Sequence, residues 1–360
     1  MKRVGLLTSG GDCQALNAVL WGITRGLFQF YGEDGVKLIG FADGYRGLMD
    51  GDYRTLMPVE LDGLLNRGGT ILGTSRQPFK RMRQPDEQGR DKVAAMKATY
   101  AALELDGLFV LGGNGSQKTA NLLSEEGLNV IGLPKTIDND LWGTELTFGF
   151  QSAVDGATEV LDRIRTTAAS HHRCFLVELM GHKAGWLTLY AGMAAGADII
   201  LLPEIPYRLE SVAQAVTRCG GHAVVAVAEG AISVEEAALD RAERKRRRKE
   251  SLRFFPSSTY ALAQKLSAAT GTECRVLVPG HMQRGGAPSP GDRVLSLRLG
   301  AYAAGLFRLG QFGTMAALQE GKIVAVPLSE VAGKLKTVPP FSDLVTEARL
   351  LGIRFGDELG

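Results

Sequence analysis

The chain has 360 residues, 45% of them hydrophobic, and a formal net charge of only +2 at pH 7. A chain of this length and apolar content can bury a large core, and we predict two subdomains. The small net charge gives no indication of a nucleic-acid or membrane partner. The four cysteines lack CxxC spacing, which argues against a zinc site or a disulfide framework and favours a reducing compartment. Because no apolar run reaches the ~18 residues of a membrane span and we expect no signal peptide, we predict a cytoplasmic protein.

Short apolar runs alternate with helix-like stretches along the chain, which is the pattern of βαβ units around a parallel sheet. We therefore predict an α/β protein. The stretch from Phe150 to Thr167 carries apolar residues at three- and four-residue spacing and is predicted to be a helix. The predicted strands are residues 4–8, 36–41, 107–111, 129–133, 174–179, 198–202, 223–228 and 275–278.

Two glycine-rich turns each follow a predicted strand and precede a predicted helix. The sequence SGGD occupies residues 9–12 before a helix-like stretch at 14–30, and GGNGS occupies residues 112–116 before a second one at 117–126. Bare backbone N–H groups and the positive end of a helix dipole make such a turn an anion site. Neither turn fits the GxGxxG or P-loop pattern, so each alone is weak evidence, but the two together could hold a polyphosphate.

The loop that follows the predicted strand at 129–133 carries a cluster of reactive side chains. Its sequence, PKTIDND, places Lys135, Thr136, Asp138 and Asp140 close together. A carboxylate beside a hydroxyl and an ammonium group suits phosphoryl transfer, in which one group deprotonates an alcohol while cations neutralise the moving phosphoryl group. The alternative is a polar loop whose side chains only cap its turns.

The most extreme charge run of the sequence is residues 241–249, RAERKRRRK. It could form an anion-binding patch, or it could be a solvated helix or a connector. Acidic residues interleave with it and flank it, which favours the second interpretation.

Eight motifs occur in one order between residue 4 and about residue 300. They are SGGD, GGTILGTSR, GGNGS, PKTIDND, SHHR, MGHKAG, AEG and PGHMQRGG. This ordered set resembles the 6-phosphofructokinases of the phosphofructokinase A family. The resemblance implies an α/β fold of two similar lobes, each a mainly parallel sheet with helices on both faces. It further implies a phosphoryl-donor (ATP) lobe of residues 1–149 plus about 283–333, and a fructose 6-phosphate lobe of residues 150–282 plus about 334–360.

The activity that the resemblance implies is transfer of the γ-phosphoryl group of Mg-ATP to the C1 hydroxyl of fructose 6-phosphate, a step of glycolysis. Asp138 would be the general base, and Thr136 would hydrogen-bond the same region. Asp140 would help to hold Mg²⁺ through water, because this ion keeps several waters and few protein ligands. Arg76, the last residue of GGTILGTSR, would bridge the donor and the transferred phosphoryl group.

The resemblance also implies a phosphate clamp for the sugar, for which planar guanidinium groups are well suited. Counterparts of Arg173 and Arg275 reach the sugar of a neighbouring subunit in relatives, so a homotetramer built from dimers, with shared active sites, is implied. Glu229 and the backbone near Met180 would contact the sugar ring. The complete sugar-phosphate set is Thr136, Asp138, Arg173, Met180, Gly181, His182, Glu229, Arg275, His281 and Arg284.

The residues that the resemblance assigns to the phosphoryl-donor site do not decide between ATP and pyrophosphate. Gly115 admits the α-phosphate of ATP in relatives, whereas Lys135 is typical of pyrophosphate users, and the combination resembles a mixed-substrate ATP/pyrophosphate branch. Tyr45 favours a nucleotide, while Thr119 stands where many ATP users have glycine. The donor set is Gly11, Tyr45, Arg76, Asn114, Gly115, Ser116 and Lys135.

Asn114 occupies the position at which the family usually carries a metal-linked aspartate, so the implied metal residues are Asn114 and Asp140. An amide oxygen can accept a metal-bound water but adds no negative charge. We expect ATP as the donor and Mg²⁺ as the cofactor. The alternatives are a pyrophosphate-dependent enzyme and a non-catalytic regulatory subunit of a phosphofructokinase assembly; retention of Asp138, Asp140 and Arg76 argues against the latter.

Overall fold

Two mainly parallel β-sheets organise the chain, as seen in a computed structural model that describes residues 1–220 and 222–358. The chain divides into two compact units. The first comprises Met1–Ser152 with Arg284–Lys336, and the second comprises Ala153–Gln283 with Thr337–Gly360. Each unit contains one of the sheets, with helices packed against it. The predicted α/β class with mainly parallel sheets is confirmed.

The strands of the described residues are β1 (Lys2–Ser9), β2 (Val36–Phe41), β3 (Tyr53–Leu56), β4 (Gly107–Gly112), β5 (Val130–Pro134), β6 (Cys174–Leu179), β7 (Ile199–Leu201), β8 (Ala223–Ala228), β9 (Cys274–Leu277), β10 (Thr314–Gln319) and β11 (Lys322–Pro327).

The helices are α1 (Leu16–Tyr31), α2 (Tyr45–Asp50), α3 (Pro58–Leu61), α4 (Lys92–Ala102), α5 (Asn114–Glu125), α6 (Phe150–His171), α7 (Trp186–Ala194), α8 (Leu209–Arg218), α9 (Val234–Ala237), α10 (Arg241–Ser251), α11 (Ser258–Thr270), α12 (Pro290–Leu309), α13 (Leu328–Val331) and α14 (Asp343–Leu350). Short 3₁₀ helices span Leu64–Asn66, Phe79–Arg81 and Gly280–Arg284.

The first sheet has the strand order β11-β10-β5-β4-β1-β2-β3. Its central strands are parallel, and only the two outermost pairs, β2 with β3 and β10 with β11, are antiparallel. Strands β4 and β5 are buried along their whole length, as expected for parallel strands covered by helices on both faces. The carboxyl ends of β1, β4 and β5 therefore lie side by side.

Helices α1 and α12 pack almost backbone to backbone in the first unit. A Cβ atom added at Gly300 would lie 2.6 Å from the backbone nitrogen of Ile23, and one added at Gly22 would lie 3.1 Å from the carbonyl oxygen of Ser296. These glycines allow an approach that larger side chains would prevent. Residues 290–309 thus complete a core that begins with residues 16–31.

The second sheet is entirely parallel, in the order β7-β8-β6-β9. Apolar residues of β6, β7 and β8 pack with those of α8 and α11 to form its core. Within the described ranges, no helix combines the length and hydrophobicity that a bilayer span requires.

All eight predicted strand regions are strands; three have the predicted ends, and the ends of the other five differ from the prediction by at most two residues. The predicted helix at 150–167 is α6, which continues to His171. Strands β3, β10 and β11 were not predicted from the sequence. Strands β10 and β11 form a hairpin whose two-residue turn is Glu320 and Gly321, both at positive φ, 49° and 73°. This is the backbone geometry that a tight hairpin requires, but Glu–Gly is a weaker turn signal than Asn–Gly.

The basic run at 241–249 lies in α10, and none of the described residues of this helix is buried. Glu243 accepts hydrogen bonds from Arg246 and Arg247, one turn along the helix. Arg244 instead donates to backbone carbonyls at the end of α9, including those of Glu236 and Ala237. The run therefore forms an exposed helix whose charges are partly paired within it.

Helix α6 begins at a buried carboxylate that is distant in the sequence. Asp292 accepts hydrogen bonds from the backbone N–H of Gly149 at 3.0 Å and of Ser152 at 2.7 Å, and from the Ser152 hydroxyl at 2.5 Å. Its side chain is 1% exposed. A negative charge is favourable at a helix N-terminus, where the first N–H groups have no partner in the helix.

Replacing Asp292 by Ala should therefore lower the free energy of unfolding by about 2–4 kcal/mol, because buried donors lose their acceptor. Asp240→Ala is the matched control. Asp240 caps the exposed helix α10 by accepting from the Glu243 N–H at 2.8 Å, and its loss should cost about 1 kcal/mol or less. Urea unfolding followed by circular dichroism compares the two variants. Equal losses would show that Asp292 is no more than an ordinary cap.

Candidate active site

The two glycine turns lie next to each other at the carboxyl edge of the first sheet. In the register of β1 and β4, Ser9 pairs with Gly112. The Ser116 hydroxyl, in the first turn of α5, donates to the Ser9 hydroxyl at 2.9 Å and so links the turns. The Tyr45 hydroxyl donates to the Ser116 carbonyl at 2.7 Å. Because the Tyr45 ring is only 1% exposed, it supports the second turn and leaves little surface for a nucleotide.

Two guanidinium groups lie beside the first turn. A Cβ atom added at Gly11 would be 2.9 Å from a terminal nitrogen of Arg284 and 3.4 Å from one of Arg76. Arg284 also donates to the carbonyl of Asp12 at 2.7 Å. The buried Nε–H of Arg284 has no hydrogen-bond acceptor among the described residues. A buried guanidinium donor without an acceptor, beside a glycine turn, is an arrangement suited to an anion.

Arg76 is brought to this turn by the segment GGTILGTSR, residues 68–76. The Gly10 N–H donates to the Ser75 carbonyl at 3.0 Å, and the Thr74 hydroxyl donates to the Gly10 carbonyl at 2.8 Å. The Thr8 hydroxyl donates to the Gly73 carbonyl at 2.7 Å. The segment is thus fastened along the end of β1, and Arg76, its last residue, is exposed.

Lys135 joins the two turns from the neighbouring strand. Its backbone N–H donates to the Gly112 carbonyl at 3.1 Å, and its ammonium group donates to the Gly11 carbonyl. The side chain is 3% exposed, and burial lowers the pKa of this ammonium group. Lys135 therefore lies beneath the first turn, where it contacts the backbone of the turn.

The PKTIDND loop is held by its own side chains. The Thr136 hydroxyl accepts from the Asp138 N–H at 2.9 Å, and the Thr147 hydroxyl donates to the Thr136 carbonyl at 2.7 Å. Asn139 has φ +50° and accepts from the Thr147 N–H at 3.1 Å. Asp138 is half-buried, and Asp140 is 7% exposed. The loop thus holds two carboxylates on a backbone that is fixed in part by hydrogen bonds to its own side chains and to Thr147.

The first turn of α5 contains the residues that bear on the choice of donor. A Cβ atom added at Gly115 would have no described heavy atom within 4 Å, so this position faces open space. The Thr119 side chain is fully buried, and its hydroxyl donates to the Gly115 carbonyl at 3.3 Å. The Asn114 amide nitrogen donates to the Lys334 carbonyl at 2.5 Å, which leaves its amide oxygen for another contact.

The two residues expected to hold magnesium, Asn114 and Asp140, both lie in the first unit. Among the described residues, no group of three or more His, Cys, Asp or Glu side chains is arranged to hold a metal ion. Magnesium is usually bound by one or two carboxylates together with substrate phosphates and water. Asp140 and the Asn114 amide oxygen meet that lesser requirement. Both residues bind one segment, since Asn114 donates to the Lys334 carbonyl and the Asp140 carbonyl accepts from the Lys336 N–H at 2.9 Å.

In the second unit, Arg173 and Arg275 are held together by Glu273. The Arg173 Nε–H donates to a Glu273 carboxylate oxygen at 2.7 Å, and Arg275 binds the other oxygen. The hydrogen bond from Arg173 lowers the pKa of Glu273. Glu273 was not predicted from the sequence, although its place two residues before Arg275 puts both side chains on one face of the chain approaching β9.

The residues expected to contact the sugar ring also lie close to one another in the second unit. The His182 N–H donates to the Glu229 carboxylate at 2.7 Å, and the Glu229 N–H donates to the Leu179 carbonyl at 2.9 Å. Gly181 has φ +147°, a conformation that few other residues adopt. The Met180 N–H donates to the Gln283 side chain at 3.1 Å. His281 is exposed on the 3₁₀ helix Gly280–Arg284.

Glu204 is a second residue that the sequence analysis missed. One of its carboxylate oxygens accepts from the Gly185 N–H at 3.0 Å and from the Val338 N–H at 2.9 Å. Burial raises the pKa of this carboxyl group. Glu204 thereby fastens the end of the MGHKAG loop to the C-terminal segment of the second unit. In sequence it is one glutamate in a loop after β7, without a motif to mark it.

These features define a class of α/β protein in which two glycine turns, guanidinium groups and paired carboxylates meet at one sheet edge. Comparison with known proteins gives the family. The phosphofructokinase family profile matches residues 3–307. The ATP-dependent 6-phosphofructokinase of Spirochaeta thermophila is 54% identical over 99% of this chain and 98% of its own length. This chain belongs to the phosphofructokinase family.

Two further relatives bear on the site. The pyrophosphate–fructose 6-phosphate 1-phosphotransferase of Amycolatopsis methanolica is 43% identical over 94% of this chain and 96% of its own length. A crystal structure of Pichia pastoris phosphofructokinase in the T-state superposes with a TM-score of 0.77 at 31% identity over 92% of this chain. The present chain spans 35% of that yeast chain.

Proposed function

We propose that this chain is an ATP-dependent 6-phosphofructokinase, which converts Mg-ATP and fructose 6-phosphate to ADP and fructose 1,6-bisphosphate in glycolysis. The observation that carries the proposal is the convergence of the two glycine turns, Arg76, Arg284 and the carboxylates of the PKTIDND loop at one edge of the first sheet. Relatives with this name align along nearly the whole chain. A glycolytic enzyme of this kind acts in the cytoplasm.

We assign the donor to a lobe of residues 1–149 plus about 283–333, most of which lies in the first unit. The N–H groups of the two turns would hold the phosphates, and Arg76 would neutralise charge that shifts to the bridging oxygen. Lys135, beneath the turn, adds positive potential without needing direct contact. Magnesium, held through water by Asp140 and the Asn114 amide oxygen, would supply further neutralisation of the phosphate charge.

We assign the acceptor mainly to a lobe of residues 150–282 plus about 334–360, most of which lies in the second unit. Glu229 and the loop Met180, Gly181 and His182 would hydrogen-bond the sugar ring. His281 and Arg284 would bind the 6-phosphate; the Arg284 Nε–H has no acceptor within residues 1–220 and 222–358. Asp138 would accept the proton of the C1 hydroxyl as that oxygen attacks phosphorus, with Thr136 holding the Asp138 backbone in place.

Replacing Asp138 by Ala should lower kcat by about 10²–10⁴, with a smaller change in KM for the sugar, because a general base acts chiefly in the transition state. Steady-state kinetics with ATP and fructose 6-phosphate measure both constants. A variant that kept the parental kcat would reduce Asp138 to a residue that shapes its loop. The same assay on the parent chain alone separates an enzyme from a non-catalytic subunit.

Pyrophosphate is the second candidate donor, and Lys135 and the Amycolatopsis relative favour it. The open space at Gly115 favours ATP, because it leaves room for an α-phosphate. We therefore expect a higher kcat/KM with ATP than with pyrophosphate. The reverse ranking would overturn the assignment of the donor while leaving the family unchanged.

Gly115→Asp should reduce kcat/KM for ATP by at least ~10-fold, because a carboxylate would face the α-phosphate. Gly115→Ala is the matched control. It adds a Cβ atom to open space without charge, and activity with ATP should stay within about threefold of the parent. Equal losses in the two variants would mean that bulk at this position, and not charge, determines the effect.

The assembly that we propose is a homotetramer, a dimer of dimers in which Arg173 and Arg275 complete a neighbouring subunit's site. The shared contact with Glu273 supports it, because one carboxylate holds both guanidinium groups as a single pair on the second unit. An arginine pair fixed in this way can bind a phosphate with little further ordering.

Co-assembly of two inactive chains tests this arrangement. An Asp138→Ala chain keeps both arginines, and an Arg173→Ala chain keeps the base, so a mixed oligomer contains some sites with every group intact. Activity should then exceed that of either parent variant, since charge-assisted phosphate contacts are strong. If oligomers shown to be mixed remain as inactive as the two variants, Arg173 serves its own chain.

A further inference from the structure

The Lys336 side chain hydrogen-bonds to the PKTIDND loop but has no role in the proposed reaction so far. We propose that Lys336 is a positioning residue for phosphoryl transfer, which acts by fixing Asn139 and thereby the two aspartates on either side of it. This inference rests on the proposed function. It concerns a residue that lies about 200 positions further along the chain and belongs to none of the eight motifs.

The Lys336 ammonium group has three oxygen acceptors in this loop and its continuation. It donates to the Asn139 side-chain oxygen at 2.9 Å, to the Thr144 carbonyl at 2.9 Å and to the Glu145 carbonyl at 2.8 Å. An ammonium group has three N–H donors, so these contacts match its full donor capacity. Burial lowers the pKa of this ammonium group to about 8, and the carboxylates of Asp140 and Glu145 offset part of that effect.

Asn139 is the residue through which this contact would influence catalysis. It lies between Asp138 and Asp140 with φ +50°, a left-handed conformation that asparagine tolerates better than most residues. Its amide oxygen also accepts from the Thr147 N–H at 3.1 Å, and its amide nitrogen donates to the Glu145 carbonyl at 3.2 Å. The orientation of Asn139 therefore sets the path of the backbone that carries both carboxylates.

The backbone of the same segment binds the loop independently of the lysine side chain. The Lys336 N–H donates to the Asp140 carbonyl at 2.9 Å, and Leu335 forms an antiparallel bridge with Leu141. These contacts remain when the side chain is replaced. A substitution at Lys336 thus removes the ammonium group and its three hydrogen bonds while the segment stays in place.

Three variants test the proposal against the parent enzyme. Lys336→Met keeps the length and loses the donors, Lys336→Arg keeps a charged donor, and Lys322→Met removes an exposed lysine from β11 as a control. We expect Lys336→Met to lower kcat by about 10–100-fold, with KM for ATP and for fructose 6-phosphate within about threefold, because a small displacement of a catalytic group costs up to about 10² in rate. Lys336→Arg should recover part of that loss, and Lys322→Met should match the parent.

Lys336→Met could also be less stable than the parent, so a double-mutant cycle with Asn139→Ala tests whether the two residues affect kcat through one another. Thermal unfolding of each variant reports folding, and kcat is measured at a temperature where all are folded. If Lys336 acts through Asn139, the double variant should lose little more kcat than Lys336→Met alone. Independent, additive losses, or a parental kcat in folded Lys336→Met, would overturn the proposal. A parent chain without phosphoryl transfer from either donor would instead refute the proposed function.

Discussion

The parallel pairing of β1, β4 and β5 is the constraint on which the rest of the site depends. Parallel strands in adjacent positions end at the same edge, so the SGGD turn, the GGNGS turn and the PKTIDND loop must begin next to one another. Their hydrogen bonds then follow from proximity: Ser116 reaches Ser9, and the ammonium group of Lys135 reaches the backbone of the first turn. Sheet register thus brings together three segments that are distant in the sequence.

Polar side chains at this edge hydrogen-bond to backbone groups, and these hydrogen bonds fix the conformation of the loops. Thr8 and Thr74 fasten the segment that ends at Arg76, and Thr136 and Asn139 do the same within the PKTIDND loop. In the second unit Glu204 and Glu229 each accept from backbone N–H groups of the loop after β6. Groups fixed before the substrate arrives need little reorganisation during the reaction, which is the main source of electrostatic catalysis.

Local sequence predicted most of the sheets, because strands such as β4 and β8 are short apolar runs bounded by glycines or turns. It also predicted the turns and the loop, which are contiguous motifs. It could not predict the hydrogen bonds of Lys336, Glu273 and Asp292. Each of these residues contacts at least one residue that is 100 or more positions away in the sequence. The role of Tyr45 needed the structure for the same reason: burial of its ring and its contact with the Ser116 carbonyl are tertiary properties.

The close packing of α1 against α12 has a consequence for the order in which the chain acquires its structure during synthesis. The ribosome must make the whole stretch from residue 153 to residue 283 before it makes α12, β10 and β11. At ~5–20 residues per second, this delay is on the order of ten seconds. Throughout that time the glycine face of α1 has no covering helix, and the β5 edge that will pair with β10 is open. All four strands of the second unit are synthesised before α12, β10 and β11. The second sheet can therefore form before the first unit is complete.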